Sequence, residues 1–155
     1  MSKLNISTPG EREVVLTREF GAAKEFVFKA LSQPELLKRW CGPSGWTMAV
    51  CDVDFRVGGN WRFVMQRPDG KQFGQFGVYQ EIMPSEKIVN TEQWDDWDAG
   101  ETLVTTILTE VDGKTTFTAT ILFPSQEVRD VVLKGGLEHG AGESYDKLEE
   151  LLTTS

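Results

Sequence analysis

Apolar positions in this chain switch between two spacings, and the switches predict its elements. Over 11–20 (EREVVLTREF), Val14, Leu16 and Arg18 alternate with Val15 and Thr17, the two-residue period of a strand rich in branched side chains. The doublets Ala22–Ala23, Phe26–Val27 and Ala30–Leu31 then recur four residues apart, which predicts a short amphipathic helix ending before Pro34. Ser32 and Glu35 are spaced as a capping box for a second short helix carrying Leu36, Leu37 and Trp40, stopped by Gly42 and Pro43. From Trp46 the strand period returns, with strands expected near 46–55, 60–67, 71–82, 87–95, 102–111 and 114–123. Gly58–Gly59, Pro68–Asp69–Gly70, Pro84–Ser85, Asp98–Ala99–Gly100 and Asp112–Gly113 mark the turns between them. Links this short force antiparallel neighbours, because a parallel crossover needs a dozen or more residues.

The final stretch returns to helical spacing. Leu133, Leu137, Ala141, Tyr145, Leu148 and Leu152 follow one another at intervals of three and four, so one long carboxy-terminal helix with an apolar stripe is expected, capped by Ser125. Gly135, Gly136, Gly140 and Gly142 weaken it by roughly 3 to 4 kcal/mol relative to alanine. Two readings account for them: Gly136 and Gly140 admit a close approach to the sheet or to a bound molecule, or the helix breaks at Gly135–Gly136 and resumes near Leu137. Helices segregated from a run of antiparallel strands define an α+β domain with one sheet face covered. Gly74 and Gly77 within a strand favour a bend or bulge, so the sheet is expected to curve around the last helix.

Length and charge narrow the function classes. A chain of 155 residues is sized for a single domain over 1–155, ordered from about 10 to 152, that buries roughly 70% of its extended surface. The 24 acidic and 16 basic residues give a net charge of −8, which opposes nucleic-acid phosphates and anionic membranes. The start, MSKLNISTPGEREVV, has no apolar run of signal-sequence length, so a soluble cytoplasmic protein is expected, monomeric or homodimeric. Cys41 and Cys51 lack ligand spacing and read as reduced core thiols; with His139 as the single histidine, no metal site and no cofactor are expected.

Candidate chemistry lies in the aromatic residues. Trp46, Trp61, Phe63, Met65, Phe76 and Trp94 on strands, roofed by Leu133, Leu137 and Tyr145, either line an apolar ligand pocket or pack into a solid core. Buried indole N–H groups require partners, which favours a pocket that is wet or occupied. Asp52 and Asp54 fall on one face of a strand and read as a solvated edge; Asp95, Asp96 and Asp98 around Trp97 read as a hairpin loop. His139, beside Glu138 and Glu143, reads as a surface residue. Asp52, Tyr79, Glu81 and His139 could supply polar groups to a cavity enzyme of cyclase or hydrolase type, but no paired acid and base emerges, so no catalytic residue is assigned and a binding role is expected over an enzymatic one.

The stretches REFGAAKEFVFKAL, PELLKRWCGP, VDFRVGGNWRF, DGKQFGQFGVYQEIMPSEKIVNTEQW, TTILTEVDGKTTFTATI and DKLEEL resemble homologues of the activator of the 90-kDa heat-shock chaperone ATPase, over nearly the whole chain. That family falls in the START and birch-pollen-allergen-like superfamily. The resemblance implies a helix-grip fold: a curved antiparallel sheet of about seven strands wrapped on a long carboxy-terminal helix, with two short helices after the first strand and an apolar cavity inside. It implies a small apolar or amphipathic ligand or, as in the eukaryotic activators, a chaperone partner. Those activators carry a separate amino-terminal domain to which none of these residues corresponds. Many relatives have Gly-Trp ahead of a final Asp-Arg-Leu turn, where this chain has Gly140–Ala141 ahead of Asp146–Lys147–Leu148, and the missing indole would widen the space under the helix.

Overall fold

The computed structural model describes residues 4–154; residues 1–3 and 155, which the single-domain expectation includes, lie outside them. Eight antiparallel strands form one sheet in the order β1-β2-β8-β7-β6-β5-β4-β3. They are β1 (Asn5–Ser7), β2 (Glu13–Phe20), β3 (Thr47–Val53), β4 (Asn60–Gln66), β5 (Gln72–Met83), β6 (Lys87–Trp94), β7 (Trp97–Val111) and β8 (Lys114–Leu122). The helices are α1 (Lys24–Ser32), α2 (Pro34–Trp40), α3 (Gln126–Lys134) and α4 (Leu137–Thr154).

Every strand from β3 to β8 pairs with its sequence neighbour, as the short turns require. The exception makes the fold: β2 pairs with β8, so α1 and α2 carry the chain from one side of the sheet to β3 at the far edge. The added eighth strand, β1, has three residues and pairs only with β2, too short for any period to be visible.

Three local expectations need correction. Ser32 does not cap α2; its hydroxyl donates to the Phe28 carbonyl at 2.8 Å within α1, and α2 starts from Pro34, whose fixed φ suits a first helical position. The turn between β6 and β7 is at Asp95–Asp96, not Asp98–Ala99–Gly100, because Trp94 and Trp97 face each other across the strands with ring centroids 5.2 Å apart and close a tight hairpin. The single helix expected from Ser125 onward is divided, as the second of the two glycine readings has it: Ser125 does cap α3, accepting from the Val128 N–H at 3.2 Å, Gly136 sits at φ +97°, and the chain resumes at Leu137 as the long carboxy-terminal helix α4.

Helices α1, α2 and α4 cover one face of the sheet. The larger core cluster joins Val14, Leu16 and Phe20 of β2 to Val27, Leu37 and Trp40 of the short helices and Leu148 and Leu151 of α4. A smaller cluster of Trp61, Tyr79 and Ile88 occupies the other end. Arg18, on the same β2 face as Val14 and Leu16, is buried and pairs with Asp146 at 2.8 Å and Glu149 at 2.9 Å, so a charged clasp fastens α4 to the sheet.

Candidate functional site

A pocket of about 390 Å³ lies between α4, α2 and the covered sheet face, walled by members of both core clusters. The two-residue strand period builds its floor: Trp61, Phe63 and Met65 from β4, Phe73, Gln75 and Tyr79 from β5, Ile88, Asn90 and Glu92 from β6, and Phe117, Ala119 and Ile121 from β8. Leu137, Gly140, Ala141, Ser144 and Tyr145 of α4 roof it, one helical face read at intervals of three and four. Cys41, Gly42 and Pro43, after α2, complete the rim.

Five of the nine residues expected from sequence to line a pocket do so: Trp61, Phe63, Met65, Leu137 and Tyr145. The other four are not among the lining residues. Trp46 lies just before β3 and packs its ring 4.9 Å from Phe73, one layer behind the wall. Phe76 follows Gln75 on β5 and therefore points to the opposite face. Trp94 is engaged with Trp97 at the hairpin. Leu133 belongs to α3, and the break at Gly135–Gly136 removes it from the face that Leu137 begins; it packs on the main core instead.

The buried indoles find partners within the protein. Trp40 Nε1 donates to the Ala30 carbonyl at 2.8 Å, and Trp61 Nε1 donates to the Thr91 carbonyl at 3.1 Å. The second bond crosses β5 at Gly77, where a Cβ would stand 2.7 Å from Trp61 Nε1 and closer still to the Thr91 carbonyl. Gly77 therefore serves close approach; the register shifts of the sheet lie elsewhere, at Met48/Val50, Tyr79/Glu81 and Glu92/Trp94.

Glu92 is the one Asp, Glu, Lys, Arg or His among the lining residues. It is half-buried, its free surface turned to the pocket, and desolvation pushes its carboxyl up to about 7. Gln75 Nε2 donates to Glu92 Oε1 at 3.3 Å. Burial pushes the Cys41 thiol up to about 12, with Cys51 nearby adding to the effect, and raises the phenols of Tyr79 and Tyr145 above their ordinary range. These three groups are neutral at neutral pH, and the pocket's charge resides in Glu92 alone.

Of the polar candidates weighed from sequence, Tyr79 lines the pocket, whereas Asp52, Glu81 and His139 are not among its lining residues. Asp52 and Asp54 are exposed on the β3 side, and His139 is 82% exposed on α4, 3.4 Å from Glu143. Glu92 was missed. Period two offered a signal, because it places Glu92 on the same side of β6 as Trp94, already expected inside. What hid it is that Ile88 and Val89 are adjacent, equally apolar and both buried, so β6 shows no dominant face.

A curved antiparallel sheet clasped by a carboxy-terminal helix, with two short helices ahead of the meander, is the architecture of a helix-grip protein. The chain belongs to the family of Activator of Hsp90 ATPase homolog 1-like proteins, whose model matches residues 22–153. Among similar solved structures, a protein from Rhodobacter sphaeroides shares 29% identity over 99% of each chain with a TM-score of 0.93. A protein from Nitrosomonas europaea shares 28% identity over 94% of this chain and 97% of that one, with a TM-score of 0.84. A family protein from Silicibacter pomeroyi shares 28% identity over 91% of this chain and 97% of that one, with a TM-score of 0.75. No curated protein matches the sequence. No helix among the described residues is long and apolar enough to cross a membrane.

Proposed function

We propose that the chain, as one START-like domain, binds a small apolar or amphipathic molecule in the pocket beneath α4. The supporting observation is the makeup of that space: about 390 Å³ walled mainly by aromatic and aliphatic side chains, with a few polar groups concentrated on β5, β6 and α4. Cavities of this size and lining suit ligands of modest size held by shape and oriented by one or two polar contacts. Ala141 on the roof leaves room that a larger side chain would take. Native mass spectrometry of the purified protein checks for a carried ligand, and quenching of the pocket tryptophans by small alcohols and fatty acids measures saturable binding. A featureless titration with every probe would end this reading.

Family membership supports a second reading, in which the domain regulates a chaperone ATPase by direct contact. Added to a 90-kDa chaperone, the protein would then raise ATP turnover and form a detectable complex. Unchanged turnover with no complex would remove it.

A further inference from the structure

The polar end of the pocket has an unusual balance of hydrogen-bonding groups. Glu92 forms no ion pair among the described residues, whereas the α4 carboxylates Asp146 and Glu149 are matched to the buried Arg18 guanidinium. Its protein contact is the 3.3 Å hydrogen bond from Gln75. Gln75 thus turns its NH₂ to the carboxylate, and Asn90 turns its NH₂ to the Thr91 carbonyl at 3.1 Å, so each amide has its oxygen left to offer. All three side chains line the pocket. The titratable groups that face Glu92 across it are the Cys41 thiol after α2 and the Tyr145 phenol on α4, both held neutral by burial. This end therefore combines one carboxylate and two amide oxygens, with no cation among the described lining residues.

A carboxylate enclosed in this way is destabilised by the loss of water and lacks a compensating charge. A protonated amine is the complementary group: it brings the missing positive charge and three donors with no acceptor of its own. A fatty acid would bring a second negative charge beside the first, and an alcohol would satisfy one oxygen and neutralise nothing.

We propose that the pocket selects a small hydrophobic amine, its ammonium nitrogen held by the Glu92 carboxylate with the Gln75 and Asn90 amide oxygens, and its hydrocarbon body against the aromatic wall of β4. The inference rests on the pocket's being a ligand site, and the experiment separates the two claims. The full chain is titrated at about pH 8.5, where Glu92 is ionised and an alkylamine is still protonated, with 1-octylamine, 1-octanol and octanoate, following tryptophan fluorescence. Octylamine is expected to bind roughly tenfold more tightly than octanol, the scale of a hydrogen bond between charged groups, with octanoate weakest. The amine-to-alcohol ratio should fall to about one in Glu92→Gln, whose fold is checked by near-ultraviolet circular dichroism, and in the unaltered protein at about pH 5.5, where Glu92 is protonated. Octanol binding as tightly as octylamine, or a preference that survives both changes, overturns the amine inference and leaves the pocket reading standing. No saturable binding by any probe overturns both.

Discussion

The indole of Trp61 on β4 donates to the Thr91 carbonyl on β6, 3.1 Å away, by reaching over Gly77 on the strand between them. Pairing of β5 with β6 is interrupted there, between Phe76↔Gln93 and Tyr79↔Asn90, and the Val78 N–H turns to Thr91 Oγ1 at 2.9 Å. The pocket wall at Trp61 is thus set by the absence of a side chain on the one strand between the indole and the carbonyl. Gly77→Ala places a methyl group against backbone that has no room to give, and is expected to cost about 2 kcal/mol or more in urea unfolding. Trp61→Phe removes the N–H but leaves Thr91 with its Asn90 donor, and should cost less.

Arg18 fastens α4 through two carboxylates of unequal burial. Glu149 is 18% exposed and Asp146 62%. Removing the buried guanidinium in Arg18→Ala should lower stability by about 3 kcal/mol, since it takes away both contacts that tie α4 to β2 and empties a fully buried site. Asp146→Ala should cost under about 1 kcal/mol, because an exposed partner is already solvated. Chemical denaturation of the two variants side by side gives both numbers, and equal losses would contradict the asymmetry.

Glu92 makes the fold's stability depend on pH in an unusual direction. Its carboxyl is raised to about 7 in the folded protein, while the unfolded chain releases the same proton near the ordinary value of about 4.3. Between those values the folded state binds the extra proton, so the stability this group permits is fullest at low pH and declines as pH rises through about 4.5 to 7. Glu92→Gln removes the charge that burial penalises. Its gain over the unaltered protein should grow from about pH 5 to pH 8 by up to roughly 3 kcal/mol, read from denaturation midpoints at the two values. A gain independent of pH would assign Glu92 to bulk solvent.

The break between α3 and α4 yields a contrasting pair. Gly136 is in the left-handed region at φ +97°, and Gly136→Ala should destabilise by about 1 kcal/mol. Gly142 lies inside α4 with open space where a Cβ would go, so Gly142→Ala should stabilise by about 1 kcal/mol. Thermal unfolding separates the two signs.

The strands from β3 to β8 were legible because Asp–Gly and Gly–Gly turns punctuate a clear two-residue period, and the wall residues Trp61, Phe63 and Met65 followed from that period alone. Phe76 was misplaced for a reason the same rule supplies: Phe73 and Phe76 cannot share a face of one regular strand, and nothing in the residue types says which is inside. Arg18 shared a face with Val14 and Leu16 in the pattern, yet its partners Asp146 and Glu149 lie more than a hundred residues away, beyond any local signal. Trp94 looked like pocket lining because a tryptophan on a strand usually needs cover; its cover is Trp97, which the turn assignment had placed in a loop. The helix break lay in Gly135–Gly136 from the start, but composition could not choose between a kinked helix and a close approach.

Ala141 on the roof of the pocket offers the sharpest test of whether the space beneath α4 is a binding site. Titration of 1-octanol into the unaltered protein and into Ala141→Trp, followed by calorimetry, should give saturable one-to-one binding in the first and its loss in the second, with both proteins folded by circular dichroism. Equal affinity in the two, or no saturable heat in the unaltered protein, would contradict the assignment of this pocket as the functional site.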